Sequence, residues 1–254
     1  MMHVLSNPGL EMLDRLAGSQ VVLGFDYDGT LAPLVDDPAR ATMQPETAAL
    51  LGAVARLYPC VVISGRSRAS VGRLLNGLSL ACTVGSHGLE CNSDSVVPTE
   101  QAAGWFEGLQ RELASLPGVR VERKPASVTV HYRLSPQPLE ALAVIRRTVN
   151  RLTGVRRIYS KDAVDVLPED PRNKGTALRD ILCQLGCCQA LYVGDDATDE
   201  DVFELEVGGH VVGVRVGRHA DTAASWYLKN QLEVDVLLGF LRDRRTFPKR
   251  RLEG

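Results

Sequence analysis

The stretch that most constrains this chain is Val21-Val22-Leu23-Gly24-Phe25-Asp26-Tyr27-Asp28-Gly29-Thr30-Leu31. Its apolar first half reads as a short strand buried on both faces. The strand runs directly into two carboxylates one residue apart, and then into a glycine. Ionised carboxylates resist desolvation, so acids at the end of a buried strand stabilise a fold poorly. They serve well to hold anionic groups rigidly around a metal ion. The plain alternative is a strand followed by an Asp-Gly turn. The remainder of the chain decides between the two.

After Pro33 and the loop-forming Asp36-Asp37-Pro38, Gln44-Pro45-Glu46 starts a helix, with proline suited to its first turn. Leu50, Leu51, Val54 and Leu57 recur at helical spacing. Cys60-Val61-Val62-Ile63 is a second β-branched run and ends at Ser64-Gly65-Arg66. A helix from Arg68 to Leu75 stops at Asn76-Gly77. Ala81 to Val84 then leads into Gly85-Ser86-His87-Gly88-Leu89-Glu90. Strands alternating with helices predict a parallel sheet with helices on both faces.

Between Pro98 and Pro171 the rhythm changes. A helix through Trp105, Leu109 and Leu113 ends at Pro117-Gly118. Strands follow at Val119 to Arg123 and Ser127 to Arg133, then a helix from Leu139 to Leu152, then strands at Val155 to Tyr159 and Ala163 to Leu167. This is an α+β module, flanked by linker-like segments at Pro98 and at Pro168 to Asn173. In the second strand the alternation Val128, Val130, Tyr132 leaves open which of His131 and Tyr132 packs into a core. The first rhythm resumes at Lys174 with a helix carrying Leu178, Ile181, Leu182 and Leu185. A strand, Ala190 to Val193, runs into Gly194-Asp195-Asp196-Ala197-Thr198-Asp199-Glu200-Asp201. A last strand, His210 to Val216, and a helix bearing Val234, Leu237, Leu238 and Leu241 follow. The expected fold is α/β: a Rossmann-like parallel-sheet core of residues 1–98 and 171–254, interrupted by an α+β domain at 99–170.

The 254 residues carry a formal net charge of −2, which argues against a nucleic-acid or acidic-membrane partner. No apolar run approaches the roughly 20 residues that span a bilayer, and Met1 to Leu10, with its Pro-Gly break, shows no signal-peptide pattern. The six cysteines match no zinc spacing, and a chain of this size needs no disulfide framework, so the expected compartment is the reducing cytoplasm. Cys187-Cys188 reads as inert, and the basic run Arg242 to Arg251 as a solvated end. Gly208, Gly209 and Gly213 form no dinucleotide fingerprint, and no Gly-x-x-x-x-Gly-Lys-Ser/Thr loop is present.

Ligands of an open parallel sheet gather outside the carboxyl ends of its strands. Four strands here end in Asp26/Asp28, Ser64/Arg66, His87/Glu90 and Asp195/Asp199. Carboxylates from two strand ends make a hard oxygen site suited to Mg²⁺. A nearby serine and lysine suit a phosphoryl group better than a carbonyl.

Asp26-Tyr27-Asp28-Gly29-Thr30, Ser64, Lys174 and Gly194-Asp195-Asp196-Ala197-Thr198-Asp199, in that order, resemble the motifs of the haloacid-dehalogenase-like phosphatases. The resemblance implies Asp26 as a nucleophile that forms an aspartyl-phosphate, and Asp28 as the acid and base. It implies Ser64 and Lys174 as holders of the phosphoryl oxygens. Mg²⁺ would be bound by Asp26, the backbone carbonyl of Asp28 and Asp195, with Asp199 supporting the metal's water shell or the lysine. For Asp196 a capping role is equally open.

Over nearly its whole length the chain is more narrowly similar to the trehalose-6-phosphate phosphatases. Ser64-Gly65-Arg66, His87-Gly88-Leu89-Glu90, Glu122-Arg123-Lys124, His131-Tyr132-Arg133 and Asn173-Lys174-Gly175 add to the motifs above. That similarity implies hydrolysis of trehalose 6-phosphate to trehalose and phosphate, with the inserted domain as a cap. Glu122 and Lys124 would bind sugar hydroxyls, with Arg66, His87 and Glu90 lining the cleft. Asp165 stands where that family usually has glutamate, one methylene longer. Coupling to a trehalose-phosphate synthase stays open. So do another sugar phosphate as substrate (sucrose phosphate or a glycosyl-phosphoglycerate) and a non-catalytic sugar-phosphate-binding role.

Overall fold

A computed structural model describes residues 1–35, 40–91, 100–160, 162–169, 172–205 and 211–247. The expected features at Asp36-Asp37-Pro38, Pro98, Pro171, Gly208-Gly209, His210 and the tail beyond Phe247 lie outside the described residues. The chain divides into two units, Met1–Gly88 with Asn173–Gly254, and Leu89–Arg172. The first boundary therefore falls between Gly88 and Leu89, earlier than the expected residue 98, and Glu90 belongs to the inserted unit.

The first unit opens with β1 (Met2–His3) and α1 (Asn7–Ala17). The Pro-Gly pair near the N-terminus does not break the chain. Pro8 sits in the first turn of α1, where its missing N–H costs nothing. Then come β2 (Val21–Phe25), α2 (Pro45–Ala55), β3 (Cys60–Ile63), α3 (Arg68–Leu74) and β4 (Cys82–Val84). Every residue of β2 is buried, as a strand flanked on both sides and covered on both faces requires.

The inserted unit holds α4 (Glu100–Leu113), β5 (Arg120–Arg123), β6 (Val128–His131), α5 (Pro138–Val149), β7 (Val155–Tyr159) and β8 (Ala163–Pro168). The strands form one antiparallel sheet in the order β5-β6-β8-β7. Its apolar face supplies Val128, Val130, Val164 and Val166 to a core shared with Trp105 and Leu109 of α4 and Ile145 and Val149 of α5. Tyr132 joins that core. His131 goes to the opposite face, which settles the alternation left open by the sequence.

The first unit resumes with α6 (Lys174–Leu185), β9 (Gln189–Gly194), α7 (Glu200–Phe203), β10 (Val211–Val216), β11 (Trp226–Leu228) and α8 (Leu232–Thr246). All seven strands pair in parallel, in the order β1-β11-β10-β9-β2-β3-β4. Leu23, Phe25, Leu191 and Val193 point into a core with residues of α1, α2 and α8. The intervening Tyr192 points the other way, against Phe203 of α7. Helices thus cover both faces. From β2 the chain steps outward to β3 and β4, then returns to place β9 on the other side of β2. The order reverses between β2 and β9, and that crevice is where such sheets bind ligands. Among the described residues no helix is long and apolar enough to cross a membrane.

Candidate active site

Asp26 follows β2 and Asp195 follows β9, so the two carboxylates flank the point where strand order reverses. The Asp26 N–H donates to the Val193 carbonyl at 2.9 Å, which carries the ladder one residue beyond the strand. The chain then turns sharply: the N–H groups of Leu31 and Ala32 both donate to the Tyr27 carbonyl. Gly29 makes the turn at φ 84°, and a Cβ there would lie 2.1 Å from an Asp195 carboxylate oxygen. Only glycine lets Asp195 come this close. Thr30 Oγ1 donates to Asp195 Oδ1 at 3.2 Å.

Lys174 is the first residue of α6, whose start is capped by Asn173 and Thr176 in a reciprocal box. Its ammonium lies 3.1 Å from Asp26 Oδ1 and 2.8 Å from Asp199 Oδ1, and all three side chains are buried. Asp199 Oδ1 also accepts from the Tyr192 hydroxyl at 2.9 Å, and Oδ2 from the N–H groups of Asp195 and Asp196 at 2.9 and 3.0 Å. Four donors therefore fix Asp199, so it acts as the lysine's anchor. Asp196 takes the capping role, accepting from the Thr198 N–H and hydroxyl at 2.6 and 2.7 Å.

Burial and mutual repulsion dominate the electrostatics of this cluster. Burial, with repulsion from Asp199 and Asp196, pushes the Asp195 carboxyl up to about 8. Burial also raises Asp26 well above the carboxylate range, although Lys174 opposes it. Burial would lower Lys174, but Asp199 and Asp26 outweigh it and keep the ammonium charged. Burial would raise Asp196 too, yet Lys174 and the Thr198 hydrogen bonds hold it below its usual range. One buried ammonium thus faces four acids. Carboxylate oxygens of Asp26, Asp195 and Asp199 converge to within 4.8 Å of one another. A hard, oxygen-seeking divalent cation fits this donor set and relieves its repulsion.

Ser64 follows β3 and is buried, its Oγ accepting from the Arg66 N–H at 3.1 Å. Arg66 makes a two-pronged contact with Asp28, Nε to Oδ2 at 2.7 Å and Nη2 to Oδ1 at 2.6 Å. Its guanidinium also lies over the Tyr27 ring at 5.6 Å. The Asp28 carboxylate accordingly turns to Arg66 and is not among the converging metal-ligand oxygens. His87 is buried in a 3₁₀ turn at φ 55°, and its N–H donates to the Ser64 carbonyl. Arg215 of β10 was not singled out by sequence. It donates to the Asp196 carbonyl and to Glu200 Oε1, tying down the acidic loop.

In the inserted unit, Glu122, Thr129 and Asp165 pair in one row across β5, β6 and β8, on the face opposite the apolar core. Lys124 Nζ lies 3.3 Å from Asp165 Oδ1, which also accepts from the Thr129 hydroxyl. His131 Nε2 lies 2.7 Å from Glu122 Oε2. That hydrogen bond, with Lys124, outweighs burial and holds the Glu122 carboxyl low. Glu90 is buried in the same unit.

Residues 24–231 match the profile of the family described as trehalose-phosphatase. The chain belongs to the trehalose-phosphatase family. A trehalose 6-phosphate phosphatase of Zea mays is 30% identical over 92% of this chain and 73% of its own length. A trehalose-phosphate phosphatase of Mycolicibacterium paratuberculosis is 34% identical over 82% of the chain, which spans only 57% of that relative. The C-terminal domain of a C. albicans trehalose-6-phosphate phosphatase superposes with a TM-score of 0.76, covering 95% of this chain and 99% of that one. At 24% identity it shows the trehalose-phosphatase fold alone.

Proposed function

We propose that this chain is a Mg²⁺-dependent phosphatase that hydrolyses trehalose 6-phosphate to trehalose and phosphate through an aspartyl-phosphate on Asp26. The observation that carries the reading is the buried Asp26–Lys174–Asp199 chain at the strand-order reversal, with Asp195 across the crevice. Lys174 and the Ser64 hydroxyl receive the phosphoryl oxygens. A carboxylate oxygen of Asp26 attacks phosphorus as the bond to the sugar oxygen breaks, and Asp28 gives that oxygen a proton. Asp28 then takes a proton from water, which attacks the same phosphorus, frees Asp26 and releases phosphate. Both Asp28 oxygens accept from Arg66, and each keeps a second lone pair that can carry the transferred proton. Asp26, Asp195 and the Asp28 carbonyl would hold Mg²⁺, which would neutralise charge between two anions that otherwise repel.

Glu122, Lys124 and Asp165 form the face that takes the sugar, because a disaccharide presents many hydroxyls and needs charged or bidentate partners. Arg66, His87 and Glu90 add contacts in this reading. The cysteines Cys60, Cys82, Cys91, Cys183, Cys187 and Cys188 are all free, consistent with a reducing cytoplasm. A synthase that makes trehalose 6-phosphate is the fitting functional partner. The test is phosphate release from a panel of trehalose 6-phosphate, sucrose 6-phosphate and a glucosyl-phosphoglycerate. Trehalose 6-phosphate should have the highest kcat/KM, with release stopped by EDTA or Asp26→Asn. Equal or greater turnover of another member overturns the sugar assignment. Release that survives Asp26→Asn overturns the nucleophile.

A further inference from the structure

Tyr192 lies near the middle of β9, where every residue from Ala190 to Gly194 is buried. A phenol hydroxyl in such a place costs free energy unless it is partnered, and a phenylalanine would avoid that cost. The ring is held in a fitted slot. Its register partner on β2 is Gly24, where a Cβ would lie 2.6 Å from Tyr192 Cδ2. Phe203 meets the ring edge-on at 6.1 Å. The slot directs the hydroxyl along the strand towards the reacting end, where it donates to Asp199 Oδ1 at 2.9 Å. The same oxygen accepts from Lys174 Nζ at 2.8 Å, and Lys174 Nζ lies 3.1 Å from Asp26 Oδ1.

We propose that Tyr192 is a positioning residue for phosphoryl transfer: its hydroxyl fixes Asp199, which in turn aims the Lys174 ammonium at the oxygens around Asp26. This rests on the phosphatase reading above. The backbone N–H groups of Asp195 and Asp196 hold only Asp199 Oδ2. Without the phenol, the carboxylate keeps its loop contacts, but Oδ1 is held by the lysine it is meant to orient.

The experiment compares wild type, Tyr192→Phe, Asp199→Asn and the double variant on trehalose 6-phosphate and on p-nitrophenyl phosphate, with Mg²⁺ saturating. Tyr192→Phe keeps the ring and should lower kcat at least ~10-fold on both substrates, with KM within about threefold. On the Asp199→Asn background the same change should cost less than about twofold, because the hydroxyl acts through Asp199. A Tyr192→Phe enzyme with kcat within about twofold of wild type overturns the inference, as do losses that multiply in the double variant. If Tyr192→Phe does not fold, Gly24→Ala gives the reading by displacing the ring; it should lower kcat with KM kept, and full activity overturns the inference. A wild type that hydrolyses p-nitrophenyl phosphate but not trehalose 6-phosphate rejects the sugar assignment alone.

Discussion

The strand-end site and the polar face of the inserted sheet both pair acids with cations, but they hold them differently. At the strand ends Lys174 is 1% exposed and Asp199 fully buried, and each group answers to several fixed partners. On the inserted sheet Glu122 keeps 41% of its side-chain exposure and His131 23%, with one close contact between them. Deep burial makes every charge at the first site strongly dependent on its neighbours, since an unpaired buried ion is costly. Partial exposure at the second lets water replace a lost partner. The strand-end site is held in one geometry, and in the proposed reading the more exposed Glu122–His131 pair exchanges partners with a hydroxyl-rich ligand.

Lys174→Met should break this contrast most severely. It leaves Asp26 and Asp199 without their buried cation, so turnover should vanish and stability fall by about 3–5 kcal/mol. Urea denaturation with Mg²⁺ present measures the second effect; a loss below about 1 kcal/mol would show that the acids had found other partners.

Asp195 sharpens the contrast through pH. Its folded carboxyl sits at about 8 against an ordinary 3.8. The unfolded chain therefore gives up this proton first, so the metal-free protein should lose stability as pH rises from about 4 to about 8, with no further loss above. Asp195→Asn should make that decline shallower, leaving the share that belongs to the raised Asp26 carboxyl, and Mg²⁺ should restore the wild type near pH 8. Melting profiles in EDTA that stay parallel for wild type and variant across that range would contradict the burial argument.

Smaller effects should follow at the inserted sheet. Glu122→Gln and Lys124→Ala should raise KM for trehalose 6-phosphate about 5–20-fold and leave turnover of p-nitrophenyl phosphate within about twofold, because in the proposed reading they meet sugar hydroxyls and not phosphorus. A parallel loss on both substrates would place these residues in the chemistry. Asp165→Glu should do least. Thr129 and Lys124 hold Asp165 down on the sheet, and one added methylene should change KM by no more than about threefold in either direction.

Legibility followed the range of the interactions. The buried strands, the inserted unit's alternation and the acids at strand ends were readable because each is a local pattern of side chains. α1 was not, because Pro8-Gly9 carries a turn signature that the first helical turn also accepts. β11 was not, because Trp226 to Leu228 is too short to show a period. Tyr192 left only a faint signal, a tyrosine in an apolar run. It became interpretable once the register set it opposite Gly24. Arg215 and Thr129 likewise acquire meaning only from partners far away in the chain.

By itself the sequence determined which groups stand at the ends of the strands, since hydrophobic period and polar interruption are set residue by residue. Only the tertiary structure decided what those groups do to one another. It brought β9 beside β2, gave Asp28 to Arg66 and Asp199 to Lys174 and Tyr192, and sent His131 to Glu122. Those choices depend on register and strand order, which bring into hydrogen-bond range residues that the chain itself keeps far apart.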